Sequence, residues 1–215
     1  MEDAARGMGA HRWRLARDRV EQFELAVMAR QAAQQPQRVG MRRRLEDPDP
    51  AAVVAKPDTK IANWPEDAKG LKLSLADAGS TSGWLIPTHY FKSRNIDPKT
   101  YFQYRDGASH AAQVLSVING QTDLASDYDR NLNGFVERGT VKADQIKVVW
   151  KSEALPNDPL VARKGLDPAI IAKIQDAALS ITEDDAKALM PKNYTGWIKA
   201  THDSYKLIED AGFSV

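Results

Sequence analysis

Residues 71–85, LKLSLADAGSTSGWL, contain the three signals that decide the fold. Residues 71–76 alternate apolar and polar side chains, which is typical of a β-strand. The glycine-rich turn at residues 79–83 follows at once, and the apolar residues after it predict a helix. A helix that begins at such a turn has unpaired backbone N–H groups, which attract oxyanions such as phosphate or phosphonate. The turn adds three hydroxyl groups, those of Ser80, Thr81 and Ser82.

The same turn is also compatible with an ordinary helix start, because serine and threonine are common N-cap residues. The GxxxxGK[ST] spacing of a nucleotide-binding loop is absent, so the sequence gives no support to nucleotide hydrolysis.

Strands and helices alternate outward from this stretch. Strands are predicted at residues 52–55, 101–104, 124–125 and 146–150, and helices at residues 111–119 and 129–138. This alternation predicts βαβ units and a mainly parallel sheet. Further helices are predicted from Pro168, after Thr182 and over residues 201–210.

Two further turns carry polar residues. His110 follows Ser109 at the start of one predicted helix, and Asp127 and Arg130 follow the strand at residues 124–125. Ligands of open α/β sheets bind at the carboxyl ends of the strands. We therefore expect these two turns to meet the turn at residues 79–83 at one edge of the sheet.

Composition describes a soluble globular chain without obvious cofactor chemistry. The 215 residues are 42% hydrophobic and 27% charged, with no cysteine and a net charge of +1. No thiolate metal site, disulfide or cysteine nucleophile is possible. No apolar run approaches the ~18 residues of a membrane span, and the charge gives no general attraction to nucleic acid. We predict no metal and no cofactor.

The basic residues change character near residue 50. Residues 1–50 contain ten arginines, no lysine and eight acidic residues, whereas the rest of the chain contains five arginines and fifteen lysines. A helix is predicted within residues 12–33, followed by an extended linker at residues 47–50. No apolar signal-peptide core is present. We expect residues 1–50 to be separate from the folded core.

Three segments occur in order along the chain: LADAGSTSG (75–83), GASHAAQVLSVINGQTDLA (107–125) and KVVWKSEALPNDPLVARKGL (147–166). Together they resemble the phosphate, phosphite and phosphonate substrate-binding proteins of ABC importers, and the resemblance extends over residues 52–212. It implies an α/β periplasmic-binding-protein-like fold in which two lobes close on an anion. It also implies a periplasmic, monomeric, non-enzymatic protein that delivers an oxyanion to a membrane permease.

The resemblance also implies roles for individual residues. Ser80, Thr81 and Ser82 would hold the phosphonate oxygens, and His110 would add a donor. Asp158 would face the ligand as a carboxylate suited to an ammonium group or a protonated oxygen. Asp127 is a weaker ligand candidate. Some family members that bind aminophosphonates have an acidic residue where this sequence has Arg130.

The implied organisation has a near-complete second lobe with a mostly parallel sheet, and a partial first lobe. The first lobe would leave Ile171, Ile174 and Trp197 exposed, because its sheet is not found in the sequence. The expected segments are an arginine-rich part (1–50), a crossover or hinge (51–69), the ligand-binding lobe (70–155), and a return crossover with C-terminal helices of the first lobe (156–215).

Three alternatives accompany the importer hypothesis. The chain could be a truncated fragment of such a protein without transport activity. It could be an enzyme in which His110 activates a hydroxyl of the turn, which requires a carboxylate to orient the histidine. It could be a nucleic-acid binder that uses the arginines of residues 6–44, although the resemblance implies no nucleic acid partner.

Overall fold

The computed structural model describes residues 40–45, by their backbone, and residues 49–162 and 165–215. All of them belong to one compact unit, residues 37–215. The helix predicted within residues 12–33 lies outside the described residues. Among the described helices, none has the length and apolar character needed to cross a membrane.

The strands and helices follow one another in mixed order. The strands are β1 (Gly40–Leu45), β2 (Asp49–Ala55), β3 (Lys72–Ala76), β4 (Gln103–Ala108), β5 (Leu124–Tyr128), β6 (Lys147–Leu155), β7 (Pro159–Leu160) and β8 (Tyr194–Ala200). The α-helices of the described residues are α1 (Ile86–Lys92), α2 (Pro98–Tyr101), α3 (His110–Ile118), α4 (Asp129–Glu137), α5 (Pro168–Leu179), α6 (Glu183–Leu189) and α7 (Lys206–Ser214). A π-helical turn, Thr81–Leu85, leads into α1.

Five strands form the larger sheet in the order β4-β3-β5-β2-β6. Strand β3 pairs in parallel with β4 and β5, whereas β2 pairs antiparallel with β5 and β6. Four of the five strands therefore run in one direction, and β2 runs against them. The expected α/β fold with a mostly parallel sheet is confirmed, with β2 as the antiparallel exception.

Both faces of this sheet are covered, because helices pack on each side. Phe91 of α1 packs with Leu73, Leu75 and Leu124 on one face. Val117 of α3 packs with Val54 and Ala125 on the other. The chain from Ala51 to Ala55 is completely buried, which explains its continuous apolar sequence, since a strand covered on both faces does not alternate.

A second sheet of three antiparallel strands, β7-β1-β8, was not expected from the sequence. Helices α5 and α6 both contact β8. Trp197 and Ile171 are therefore half-buried, contrary to expectation, whereas Ile174 remains 44% exposed as expected. The apolar faces of the C-terminal helices have a sheet partner because β1 and β8 pair over their whole length.

The composition break at residue 50 is not a break in the fold. Residues 40–45 form the central strand of the small sheet, and Asp49 and Pro50 begin the buried strand β2. Strand β2 therefore runs across the expected boundary at residue 50, and the division of the chain into four segments stays a prediction. An arginine-rich sequence can form a strand, because the hydrogen bonds between strands are made by the backbone, which arginine supplies like any other residue with an N–H group.

Smaller differences have local causes. Residues 101–104 were predicted as a strand, but Tyr101 ends helix α2, whose N-cap Asp97 accepts a hydrogen bond from the Lys99 N–H at 3.0 Å. Strand β4 starts only at Gln103. The last predicted helix begins as a 3-10 turn, His202–Tyr205, before α7. The capping box of Thr182 and Asp185 is present as predicted.

The position of β1 predicts resistance to trypsin. Arg42, Arg43 and Arg44 all pair with β8, and Arg42 also pairs with Pro159 of β7. A protease would have to break this pairing to bind the backbone in extended form. In limited trypsin digestion followed by mass spectrometry, we expect these bonds to persist longer than the bond after Arg138, an exposed residue at the end of α4. Early cleavage after Arg42–Arg44 would contradict the strand.

Candidate anion-binding site

The turn between β3 and the following helix is held by its own side chains. The Ser80 Oγ accepts a hydrogen bond from the Gly83 N–H at 3.1 Å, which caps the helical turn. The Asp77 carboxylate accepts from the Gly79 N–H at 2.9 Å. The turn is therefore formed before any ligand binds, and Ser80 is the N-cap that one interpretation of the sequence predicted.

Thr81 and Ser82 are half-buried beside this cap. Within the described part of the chain, no residue hydrogen-bonds either hydroxyl, so both can reach a ligand. Their backbone N–H groups stand in the first turn of the helical segment, before the internal hydrogen bonds begin. The arrangement supplies several donors over a short stretch of backbone.

Gly83 is needed here for space. A Cβ at this position would lie 2.4 Å from the Ala76 Cβ and 2.7 Å from the His110 Cε1. Neither distance is possible between real atoms, and Ala76 lies in a strand that cannot move away. The missing side chain lets the helix start approach both strand β3 and the histidine.

Ser126 joins the turn to the sheet from the other side. Its Oγ accepts from the Ala76 N–H at 3.1 Å and donates to the Gly83 carbonyl. This buried hydroxyl connects the ends of β3 and β5 to the turn, so the position of the anion donors is fixed by the sheet. The sequence carried no signal for this role, because a single serine in a short apolar strand is not distinctive.

His110 stands at the start of α3, directly after its N-cap Ser109. The His110 Nε2 lies 3.0 Å from the Ser80 Oγ, and its Nδ1 lies 3.0 Å from the Asp127 Oδ1. The histidine side chain is 25% exposed, whereas that of Asp127 is completely buried. The prediction that these three turns meet at one edge of the sheet is confirmed for Ser80, His110 and Asp127.

Asp127 has a different position from the one expected of a ligand contact. Both of its oxygens accept hydrogen bonds from the Asn131 Nδ2, at 3.0 and 2.9 Å, and one also contacts His110. Burial raises the pKa of the Asp127 carboxyl, while the hydrogen bonds from His110, Asn131 and the Tyr128 backbone lower it. Its neighbours cover the carboxylate, so in this structure Asp127 acts on His110. The weaker ligand role expected of Asp127 stays a prediction.

Arg130 belongs to a second cluster beside the first. Its backbone N–H donates to the Asp49 Oδ1 at 3.1 Å, and its guanidinium lies 3.2 Å from the Asp49 Oδ2. The same guanidinium donates to the hydroxyl of Tyr194 in β8. Arg130 thus connects the larger sheet to the smaller one, and Asp49 balances its charge. The sequence could not show this partner, because Asp49 was assigned to a linker.

Asp158 lies on the crossover between β6 and β7 and is exposed. The neighbouring Asn157 carbonyl accepts from the Tyr205 hydroxyl at 2.7 Å, and the Asn157 Oδ1 lies 3.4 Å from the Tyr194 hydroxyl. The crossover therefore reaches the Arg130 cluster. The ligand-facing role of Asp158 stays a prediction.

Among the described residues, no group of histidine, aspartate or glutamate side chains has the arrangement of a metal site. A cavity of about 320 Å³ between α4 and β6 is lined by Asp129 and Lys151 among others, but by none of the turn residues. The candidate site is therefore the polar edge of the sheet itself.

Ser80, His110 and Asp127 have the hydrogen-bond order of a serine-hydrolase triad, which is what the enzyme hypothesis required. Ser80 is also a helix cap, and the GxSxG elbow of α/β-hydrolases is absent from the sequence. A catalytic site and an anion-binding site can both have this geometry.

Comparison with known proteins distinguishes the binding site from the catalytic one. The family model described as the periplasmic substrate-binding protein of phosphonate ABC transporters matches residues 14–205. The match begins at residue 14, well before residue 52, where the resemblance described from the sequence begins. The similar proteins below are substrate-binding proteins of transporters, not enzymes.

Two curated relatives are similar over part of their length. The phosphonates-binding periplasmic protein of Escherichia coli is 32% identical over 130 residues, which are 60% of this chain and 38% of the relative. The phosphate-import protein PhnD of Mycolicibacterium smegmatis is 27% identical over 145 residues, which are 61% of this chain and 45% of the relative. The chain therefore spans less than half the length of either curated relative.

Two solved structures have the same fold. A binding-protein component of an ABC phosphonate transporter from Pseudomonas aeruginosa has a TM-score of 0.66 at 27% identity, covering 81% of this chain and 61% of that one. PhnD1 of Prochlorococcus marinus in complex with methylphosphonate has a TM-score of 0.68 at 19% identity, covering 84% and 72%.

The close approach at Gly83 predicts a large effect of one methyl group. Gly83→Ala should lower the free energy of unfolding by about 1–3 kcal/mol, because the added Cβ forces the turn away from Ala76 and His110. Urea denaturation measures the change. Gly212→Ala in α7 is the matched control, since a Cβ there meets nothing within 4 Å. Equal stabilities of the two variants would show that the turn is looser than described.

Proposed function

Because the chain belongs to the family of periplasmic substrate-binding proteins of phosphonate ABC transporters, we propose that it binds a phosphonate-type oxyanion for such a transporter. The observation that carries the proposal is the turn Ser80–Thr81–Ser82 with His110 against it. No covalent step is required of this site.

The donors of the turn suit a tetrahedral oxyanion. Hydroxyl and backbone N–H groups at the start of a helix can each address a different oxygen of one –PO₃ group. Hydrogen bonds of this kind to an anion are roughly twice as strong as neutral ones. A planar carboxylate has only two oxygens and would use fewer of these donors, so we favour phosphonate, phosphite or phosphate.

The remaining parts of the proposal concern partners and place. We propose a membrane permease of the ABC type as the partner, a periplasmic location and a monomeric state, with neither nucleic acid nor cofactor involved. The family supports the transporter and the compartment. The net charge of +1 supports the absence of nucleic acid binding.

The second candidate is a fragment of such a protein that binds without supporting transport. The observation in its favour is that the chain spans 38% and 45% of its two curated relatives. In this case the anion would be held from one side and remain in contact with water, which screens its interactions. Methylphosphonate binding without stimulation of a permease would favour this candidate.

Thr81→Ala tests the site directly. Loss of one hydrogen bond to a charged ligand should weaken methylphosphonate binding by about 1.5–3 kcal/mol, roughly tenfold to hundredfold. Titration calorimetry measures the difference. Thr140→Ala is the control, because Thr140 is exposed near the far end of α4 and should leave affinity unchanged. Equal affinity of Thr81→Ala and the unaltered protein would remove the turn from the ligand site.

Asp158→Asn tests the predicted carboxylate contact. An ammonium group on the ligand would lose a charged partner. Because the side chain is exposed and water screens such a pair, affinity for 2-aminoethylphosphonate should fall by about 0.2–1 kcal/mol. Methylphosphonate has no ammonium group and serves as the control ligand. An equal change for both ligands would show that Asp158 does not address the amine.

A further inference from the structure

We propose that Asp127 is a positioning residue for His110. It keeps the proton of the neutral ring on Nδ1, so that the Nε2 is free to take up a second proton when the oxyanion binds. The proposal rests on the proposed function, since it concerns the same anion. In this proposal the buried carboxylate determines which nitrogen of His110 carries the proton and which one faces Ser80 at the anion site.

The first step is the direction of the hydrogen bonds at Asp127. Asn131 donates to both carboxylate oxygens through its Nδ2, and the Tyr128 N–H also donates. A carboxyl surrounded by donors is best satisfied in its ionised, acceptor-only form. The 3.0 Å contact to His110 therefore requires a proton on Nδ1. Asp127 thereby fixes the tautomer and turns Nε2 towards Ser80.

The second step is the single proton of the Ser80 hydroxyl. The Ser80 Oγ already accepts from the Gly83 N–H at 3.1 Å. Its own proton can then be donated to the Nε2 of His110, 3.0 Å away, as long as this nitrogen is unprotonated. Without ligand, every donor along Gly83, Ser80, His110 and Asp127 has one acceptor.

The third step is the arrival of the anion. When the Ser80 hydroxyl donates its hydrogen bond to the oxyanion, no hydrogen atom remains between the Ser80 Oγ and an unprotonated Nε2. The lone pairs of these two atoms then face each other at 3.0 Å and repel. A proton on Nε2 removes this conflict. The imidazolium then stands between two anions, the buried carboxylate behind it and the oxyanion in front. The ring is 25% exposed, so the proton can come from solvent.

The charges around His110 do not oppose this step. The positive end of α3 disfavours a cation at the ring, and the two anions compensate for it. The Tyr128 ring faces the histidine edge-to-face, with centroids 4.7 Å apart. Of the charged groups on the neighbouring elements, Asp49 pairs with Arg130 and Asp129 pairs with Lys151, and the Asp77 carboxylate of the turn accepts from the Gly79 N–H.

Nitrogen NMR of the histidine rings tests both halves of the proposal. On the full chain at pH 8, we expect neutral His110 with its proton on Nδ1. On saturation with methylphosphonate, the Nε2 signal should shift to the position of a protonated nitrogen. His110→Gln assigns the signals. A free protein with the proton on Nε2 would overturn the positioning role, and a ring that stays neutral in the complex would overturn the proton uptake.

Asp127→Asn should remove the preference for Nδ1–H, leave His110 neutral in the complex, and weaken methylphosphonate binding roughly tenfold or more. The matched control is Asp129→Asn, which removes a neighbouring carboxylate that pairs with Lys151 and does not touch His110. Wild-type ring signals in Asp127→Asn would overturn the proposal. If this variant does not fold, Asn131→Ala removes the amide group that contacts both carboxylate oxygens and should shift the same signals.

Failure of the proposed function gives a different result. If methylphosphonate, phosphite and phosphate leave the amide signals of Thr81 and Ser82 unchanged at millimolar concentration, the anion site is refuted and proton uptake with it. The tautomer of the free protein still decides the positioning role of Asp127 in that case.

Discussion

A carboxylate without access to water must find its hydrogen bonds inside the protein, and the candidate site depends on how Asp127 does so. Its donors come from α3, from α4 and from the end of its own strand, β5. Meeting this requirement fixes where both helices start relative to the sheet. Leaving the carboxylate without partners would cost several kcal/mol, so the site and the stability of the lobe depend on the same contacts.

Close backbone approach is the second requirement, and small residues make it possible. The missing side chain at Gly83 and the small one at Ala76 bring the helix start against the strand. Ser126 then satisfies a backbone donor and a backbone acceptor that this approach leaves buried. Binding geometry is thus a property of the sheet edge, and the hydroxyl groups of the turn need little rearrangement to address a ligand.

Local signals in the sequence were sufficient for much of the fold and for part of the site. The alternation at residues 71–76, the turn after it and the caps at Asp167 and Thr182 act over a few residues, and each appears in the structure. Strands β1 and β8 could not be predicted, because each depends on pairing with a distant segment. The roles of Asp127 and Asn131 depend on burial, which a single sequence does not show.

The pairing of β1 with β8 has a consequence for the order in which the chain folds. Gly40 pairs with Ala200, so nearly the whole described chain separates the two partners. The larger sheet needs only residues up to Leu155 and can assemble before the C-terminal part has folded. Strand β1 has to wait for β8, and until then its open edges are available to chaperones or to other unfolded chains. The latest contacts to form are therefore those made by the earliest part of the described chain.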